Sequence, residues 1–288
     1  MRYEHFDIEL NFRDGCDPDF VPSVNYYILD TIDTMTMIKK RPMVIVCAGG
    51  AYGYKSAREA EPVATQFLGA GFHAAVLDYS VAPAKWPCSA RELAHAVAIA
   101  RKHAEEWKVL EDGIFVCGFS AGGHLACTLS TMWDDPAFYK EFESLGIPAG
   151  DTAPWRPDGA VLGYPVVTML EFTHEGSRDN VCGKDAPKEL LEALSLERRV
   201  SSKTVPTFLF HTAEDGAVPC ENSINYVLAL RKHGIPCEFH LFEKGGHGLS
   251  LCNELSSVYE GQILPADEVW IKLAITWVKG RISPAANV

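Results

Sequence analysis

The chain has 288 residues, 47% of them apolar and 22% charged, which suffices for a sizeable core in one domain spanning residues 1–288. A net charge of −12 repels phosphates and polyuronates, and no Lys/Arg-rich run offers a grip on nucleic acid, so neutral or cationic partners are expected instead. The opening "MRYEHFDIEL" lacks a basic n-region with an apolar stretch, and no segment approaches about 18 uninterrupted apolar residues, which predicts a cytoplasmic protein without membrane contact.

In chain order, "YEHFDIELNF" and "VNYYILD" read as antiparallel strands. "PMVIVCAGG", "FHAAVLDYS", "GIFVCGFS", "DGAVLGYP" and "PTFLFHT" follow as nearly continuous apolar runs bounded by turn residues, the pattern of strands buried on both faces of a parallel sheet. Helical patterns lie between them. "RELAHAVAIARKHAEEW" sets Leu93, Val97, Ala100 and Ala104 on one stripe, and "ENSINYVLALRKHG" does so with Ile224, Val227 and Leu228 before Gly234. This alternation predicts the α/β class, an open and mostly parallel sheet with helices on both faces. Residues 131 to 157 and 167 to 204 break the rhythm and are expected as cap-like insertions over the C-terminal edge of the sheet, where such folds bind ligands.

In "VCGFSAGGHLA" a strand gives way to a helix, and Ser120 occupies the tight turn between Gly118 and Gly122. A helix N-cap needs no small residue on either side, whereas a sharp strand-to-helix turn brings backbone so close that side chains there would clash, so Ser120 is read as a nucleophile. A serine hydroxyl is a weak nucleophile and needs a histidine base with a carboxylate to orient it. Of the ten histidines, His247 in "KGGHGLSL" is the one held in a glycine-flanked loop after a strand. His211 and His240 lie in strands, and His124 follows the turn on a helix as a packing residue. "AEDGAVP", also after a strand, supplies two candidate carboxylates, Glu214 and Asp215.

Nine cysteines, several inside apolar strands (Cys47, Cys117) and no pair at CxxC spacing, read as buried free thiols in a reducing compartment. A zinc site is not expected, and neither is any other metal or cofactor.

From about residue 24 to residue 280 the chain resembles the α/β-hydrolase superfamily, and within it the small esterases related to acetylxylan esterases and the hormone-sensitive-lipase-like group. The resemblance rests on "CAGGAYGYKS", "LDYSVAPAKWP", "GFSAGGHLA", "LGYPV", "HTAEDGAVP" and "FEKGGHGLSL" in that order. It implies Ser120 as nucleophile, His247 as base and Asp215 as orienter, because "DGAVP" matches the family's D-x-x-V-P turn; Glu214 stays in reserve. It also implies an oxyanion hole from the backbone N–H of Ala121 with that of Gly50 or Ala51. Two departures accompany this: Ala48 stands where the motif has histidine, and Ala51 must tolerate a glycine's backbone angle.

The resemblance further implies small acyl groups, chiefly acetyl, on a small-molecule or oligosaccharide ester, without a cofactor. Tyr52, Trp86 and Trp155 are candidates to stack on sugar faces. Lipase-like carboxylesterase, peptidase and thioesterase chemistry use the same triad and differ in acyl chain or leaving group, and a non-catalytic ligand binder on this fold is a further alternative. Self-association into a homo-oligomer is left open.

Overall fold

The computed structural model describes residues 1–32, 34, 38–143 and 153–282. Eight strands, β1 (Arg2–Asp7), β2 (Ser23–Ile28), β3 (Arg41–Cys47), β4 (His73–Asp78), β5 (Val109–Phe119), β6 (Gly159–Gly163), β7 (Thr207–Thr212) and β8 (Cys237–Phe242), form one sheet in the order β1-β2-β4-β3-β5-β6-β7-β8. The β1/β2 and β2/β4 pairs are antiparallel and every pair from β4 to β8 is parallel, as the apolar runs predict.

The central strands are apolar throughout because both faces are covered. On β3, Val44 and Val46 face one layer while Met43, Ile45 and Cys47 face the other. The first layer holds α1 (Glu61–Gly69) and α9 (Trp270–Arg281) through Val63, Phe67, Trp270 and Trp277. The second holds α2 (Cys88–Lys102) with the short α3 (Ala104–Trp107), α4 (Ser120–Met132) and α8 (Glu221–Lys232). Leu93, Val97, Ala100 and Ala104 are buried as expected. On α8 the buried stripe is instead Asn222, Ser223, Tyr226 and Leu230, and Leu228 is exposed. Apolar spacing misjudges this helix because Asn222 is buried by hydrogen bonds, its Oδ1 accepting from the amides of Val167 and Thr168.

The two insertions part company. The 13 residues of α4, at about 1.5 Å each, carry the chain about 20 Å from Ser120 towards the N-terminal edge of the sheet. There the Trp133 indole donates to Lys203 O, and the Asp158 amide donates to Ile114 O as β6 begins. Between these points α5 (Pro136–Glu141) packs beside α2, with Glu141 accepting from His95 and Phe138 edge-on to Trp86. Residues 144–152 of this insertion lie outside the described residues. The expectation of a cap over the C-terminal edge is thus corrected for the described residues of the 131–157 segment, 131–143 and 153–157. The 167–204 segment, with α6 (Glu175–Cys182) and α7 (Lys188–Ala193), does meet that edge: Asn180 donates to Ala51 O and Trp86 N to Val181 O.

A second correction concerns the cysteines. Cys16 and Cys88 form a disulfide across 72 residues of sequence, leaving seven free thiols rather than nine. No local spacing marks such a pair, because the fold alone brings the N-terminal segment to the start of α2. Glu92 lies beside them, but with the two sulfurs bonded to each other the cluster is not a thiolate donor set for a metal. Among the described residues, no helix is long and apolar enough to cross a membrane.

Candidate functional site

The turn at Ser120 is sterically tight. Ser120 adopts φ +52°, a left-handed conformation that a non-glycine residue holds only when its surroundings enforce it. A Cβ on Gly118 would sit 2.1 Å from Gly122 O, and one on Gly122 would sit 2.2 Å from Cys47 O. The two flanking glycines are therefore a packing requirement of the turn, as their spacing predicts.

Ser120 Oγ lies 2.8 Å from His247 Nε2, and His247 Nδ1 lies 2.6 Å from Asp215 Oδ2. The carboxylate accepts, so Nδ1 carries the proton and Nε2 is left with a lone pair facing the serine hydroxyl. Three loops that leave β5, β7 and β8 at one edge thus bring these residues into hydrogen-bond contact. Asp215 is buried, and its Oδ1 accepts from the amides of Ala217 and Val218 at 3.0 and 2.9 Å. Burial pushes its pKa up, but hydrogen bonds from His211 and His247 and the charge on His247 outweigh that and hold the carboxyl well below the usual range. Glu214 is half exposed and pairs with Lys244 at 2.8 Å, so it does not face His247.

His211 supports Asp215 from beneath. Its Nε2 stands 3.0 Å from Val218 O and 3.3 Å from Asp215 Oδ2, while Nδ1 meets the Ser223 hydroxyl at 2.8 Å. Sequence reasoning placed His211 in a strand and gave it no role; its position at the strand end, four residues before Asp215, was the available signal.

The loop "CAGGAY" lies against the serine turn, since a Cβ on Gly49 would stand 3.0 Å from Ser120 Cβ. Gly50 has φ +132° and Ala51 φ +55°, so the alanine does adopt the angle a glycine would hold more easily. The loop carbonyls are engaged on the protein side: Gly49 O accepts from Ser56 N, Gly50 O from Gly53 N and Ala51 O from Asn180. Ala121 sits in the first turn of α4, where an amide has no intrahelical acceptor. The residue after the loop that sequence reasoning missed is Glu59, a buried carboxylate at the end of a 3-10 turn (Ala57–Glu59), which accepts from Gly49 N at 2.8 Å and from the Tyr164 hydroxyl at 2.6 Å.

The aromatic assignments change. Tyr52 is only 3% exposed, its hydroxyl donating to His124 Nδ1 at 2.9 Å, and it cannot stack on a sugar. His124 is the packing residue expected, donating from Nε2 to Leu194 O, with burial lowering its pKa to about 4. Trp155 is fully buried, stacked on Phe142. Trp86 is half-buried against Phe138. An open aromatic beside this loop is Tyr54, 64% exposed, whose ring lies next to Gly50.

Residues 29–230 match the BD-FAE family model. The chain belongs to the BD-FAE family. Over 222 residues it is 34% identical to endo-1,4-beta-xylanase B of Butyrivibrio fibrisolvens, a match covering 75% of this chain and 33% of that one. Over 179 residues it is 30% identical to an acetylxylan esterase of Xylanibacter ruminicola, covering 60% of this chain and 33% of that one. The chain therefore spans about a third of the length of these curated relatives. The crystal structure of an acetyl ester-xyloside bifunctional hydrolase from Caldicellulosiruptor lactoaceticus superposes with a TM-score of 0.79 at 35% identity, covering 95% of this chain and 94% of that one. The fold of this BD-FAE member is that of the α/β hydrolases, as the ordered motifs imply.

Proposed function

We propose that this BD-FAE member is a serine esterase that removes short acyl groups, chiefly acetyl, from carbohydrate esters. The observation that carries the reading is the unbroken hydrogen-bond relay from Ser120 through His247 to Asp215. In the proposed reaction Ser120 Oγ attacks the ester carbonyl as its proton passes to His247 Nε2, and Asp215 steadies the resulting imidazolium. The amides of Ala121 and of Gly50 or Ala51 stabilise the oxyanion of the tetrahedral intermediate. The intermediate collapses to an acyl-serine, and His247 returns the proton to the departing sugar oxygen. Water, deprotonated by the same imidazole, then releases the acid and restores Ser120.

Several features favour a neutral acetylated sugar over other esters. The names of the acetylxylan esterase and the acetyl ester-xyloside hydrolase point to acetyl on xylose-based glycans in relatives. A net charge of −12 works against anionic lipids and phosphorylated acyl carriers. The exposed Tyr54 ring beside the oxyanion loop offers an aromatic face to a sugar. Incubation with acetylated xylo- or manno-oligosaccharides, and with aryl esters of two to twelve acyl carbons, tests the reading. Acetate release with a steep fall in rate beyond about four carbons is expected, since each misfitted methylene costs about 1 kcal/mol or more. A rate optimum at eight carbons or longer, with no acetate from sugars, overturns it in favour of a lipase-like carboxylesterase.

A further inference from the structure

Glu59 is a carboxylate only 3% exposed, in a protein whose remaining acidic groups mostly face solvent. Burying a charge is costly unless its oxygens find donors, and both oxygens of Glu59 do. Oε2 takes the amide of Gly49, and the space between Glu59 and Ser120 is so narrow that a Cβ on Gly49 would stand 2.7 Å from that oxygen. Oε1 takes the Tyr164 hydroxyl, which in turn accepts from Ser250 N at 2.8 Å, three residues after the base. The Tyr164 ring lies edge-on to His247 with centroids 5.1 Å apart. The neighbouring Arg58 reaches the same loop, donating to Gly248 O at 2.8 Å and to Ser256 O at 2.7 Å, while its own carbonyl accepts from Ser250 Oγ. A single turn of chain therefore grips both the glycine loop on one side of Ser120 and the histidine loop on the other.

We infer that Glu59 is a positioning residue for ester hydrolysis: its carboxylate fixes the Gly49–Gly50 loop directly and the His247 loop through Tyr164, setting the oxyanion donors and the base in register with Ser120. This rests on the reading of Ser120 and His247 as nucleophile and base. The charge has a second effect. The groups facing His247 are Asp215 after β7, Glu59 with Tyr164 across the glycine loop, Arg58 beside Glu59, and His174 ahead of α6, which burial and the charge on His247 keep below its ordinary pKa. Two carboxylates thus oppose the Arg58 guanidinium; burial pushes the Glu59 carboxyl above its ordinary range, against the hydrogen bonds from Tyr164 and Gly49 that favour its charged form, and a negative charge beside an imidazole favours the cationic ring.

The test compares Glu59→Gln, Glu59→Ala and Tyr164→Phe with the unaltered protein and with Ser120→Ala, using an aryl acetate across pH and a thermal melt. Glu59→Gln is expected to lower kcat by about 10- to 100-fold with KM within about threefold, since displacing a preorganised donor by a fraction of an ångström acts on the transition state rather than on ground-state binding. The acidic limb of kcat/KM is expected to move to lower pH by about half a pH unit or more, a readout that loss of packing alone would not shift. Glu59→Ala is expected to fall further than Glu59→Gln, whose amide still offers Gly49 N an acceptor. Tyr164→Phe keeps the ring and cuts the link to the histidine loop, so it is expected to lower kcat as well, and it carries the test if the Glu59 variants fail to fold. A folded Glu59→Gln or Tyr164→Phe protein with kcat within threefold and an unmoved acidic limb overturns the inference. If those variants behave so while Ser120→Ala is inactive, only the positioning role fails; if Ser120→Ala is itself active, the reading of the site fails.

Discussion

Replacing Asp215 by asparagine is close to isosteric, yet the structure dictates that the two oxygens of this carboxylate cannot exchange roles. Oδ1 is held by the amides of Ala217 and Val218 at 3.0 and 2.9 Å, so in Asp215→Asn the carbonyl oxygen must stay there to satisfy two backbone donors. The amide nitrogen is then forced into the place of Oδ2, 2.6 Å from His247 Nδ1. It donates where the carboxylate accepted. The imidazole must answer with a bare Nδ1, which moves its proton to Nε2, the atom that faces Ser120 Oγ at 2.8 Å. A protonated Nε2 cannot take the serine proton, and a neutral amide cannot steady an imidazolium. The expected loss in kcat is about 10⁴-fold, equivalent to about 5.5 kcal/mol of transition-state stabilisation. Steady-state hydrolysis of an aryl acetate measures it, with circular dichroism to show that the fold is kept. Glu214→Gln is the control, because that side chain pairs with Lys244 at the surface and is expected to leave the rate within about twofold. A fully folded Asp215→Asn protein within tenfold of normal activity, or a greater loss in Glu214→Gln, refutes this chain of reasoning.

Further outcomes follow from the same contacts. Ser120→Ala is expected to lower kcat by about 10⁴-fold or more without unfolding the protein, as a triad collapses when its nucleophile is lost; burst and steady-state assays on an aryl ester check this. Denatured, unreduced protein should titrate with a thiol reagent as seven groups and as nine after reduction. Cys16→Ser should lower stability by up to about 4 kcal/mol in urea titrations under oxidising conditions, the loop-closure contribution for a bridge spanning 72 residues. Glu92 is buried, and burial raises its pKa from 4.5 to about 7. A carboxyl whose folded pKa is raised stabilises the fold fully below its unfolded pKa and loses that contribution as pH rises through the folded value, so stability should decline between about pH 4.5 and about pH 7. Glu92→Gln should flatten that slope in denaturant titrations.

Features written in contiguous residues were legible in the sequence. The glycines around Ser120, the apolar runs of β3 to β7 and the loop positions of Asp215 and His247 each depend on local sterics or on burial of one segment, and a short stretch of chain displays both. Features that depend on two distant segments were not. Cys16 meets Cys88, and Glu59 meets Tyr164, only because the sheet order brings them together. Polarity misled where burial is satisfied by hydrogen bonds: Asn222 and Ser223 head the buried stripe of α8, and Glu59, buried with a donor on each oxygen, drew no reading from the sequence. Aromatics misled in the opposite sense, since Tyr52 and Tyr54 are two residues apart in one turn and only the course of that turn decides which of them reaches solvent.

The strand order distributes the proposed catalytic groups unequally across the sheet. Ser120 follows β5, which has strands on both sides and is buried along its final seven residues, whereas His247 follows β8, the terminal strand, paired on one flank only and partly exposed at every position. Terminal strands with few protecting neighbours open with a smaller free energy than the interior of the same sheet. The base therefore follows an edge strand, which opens more readily than the sheet interior, while the nucleophile follows an interior strand of the same sheet. Inactivation by heat or mild denaturant should then be a subglobal, reversible event: hydrolysis fades while the serine turn remains folded, and re-docking of one strand is enough to restore it.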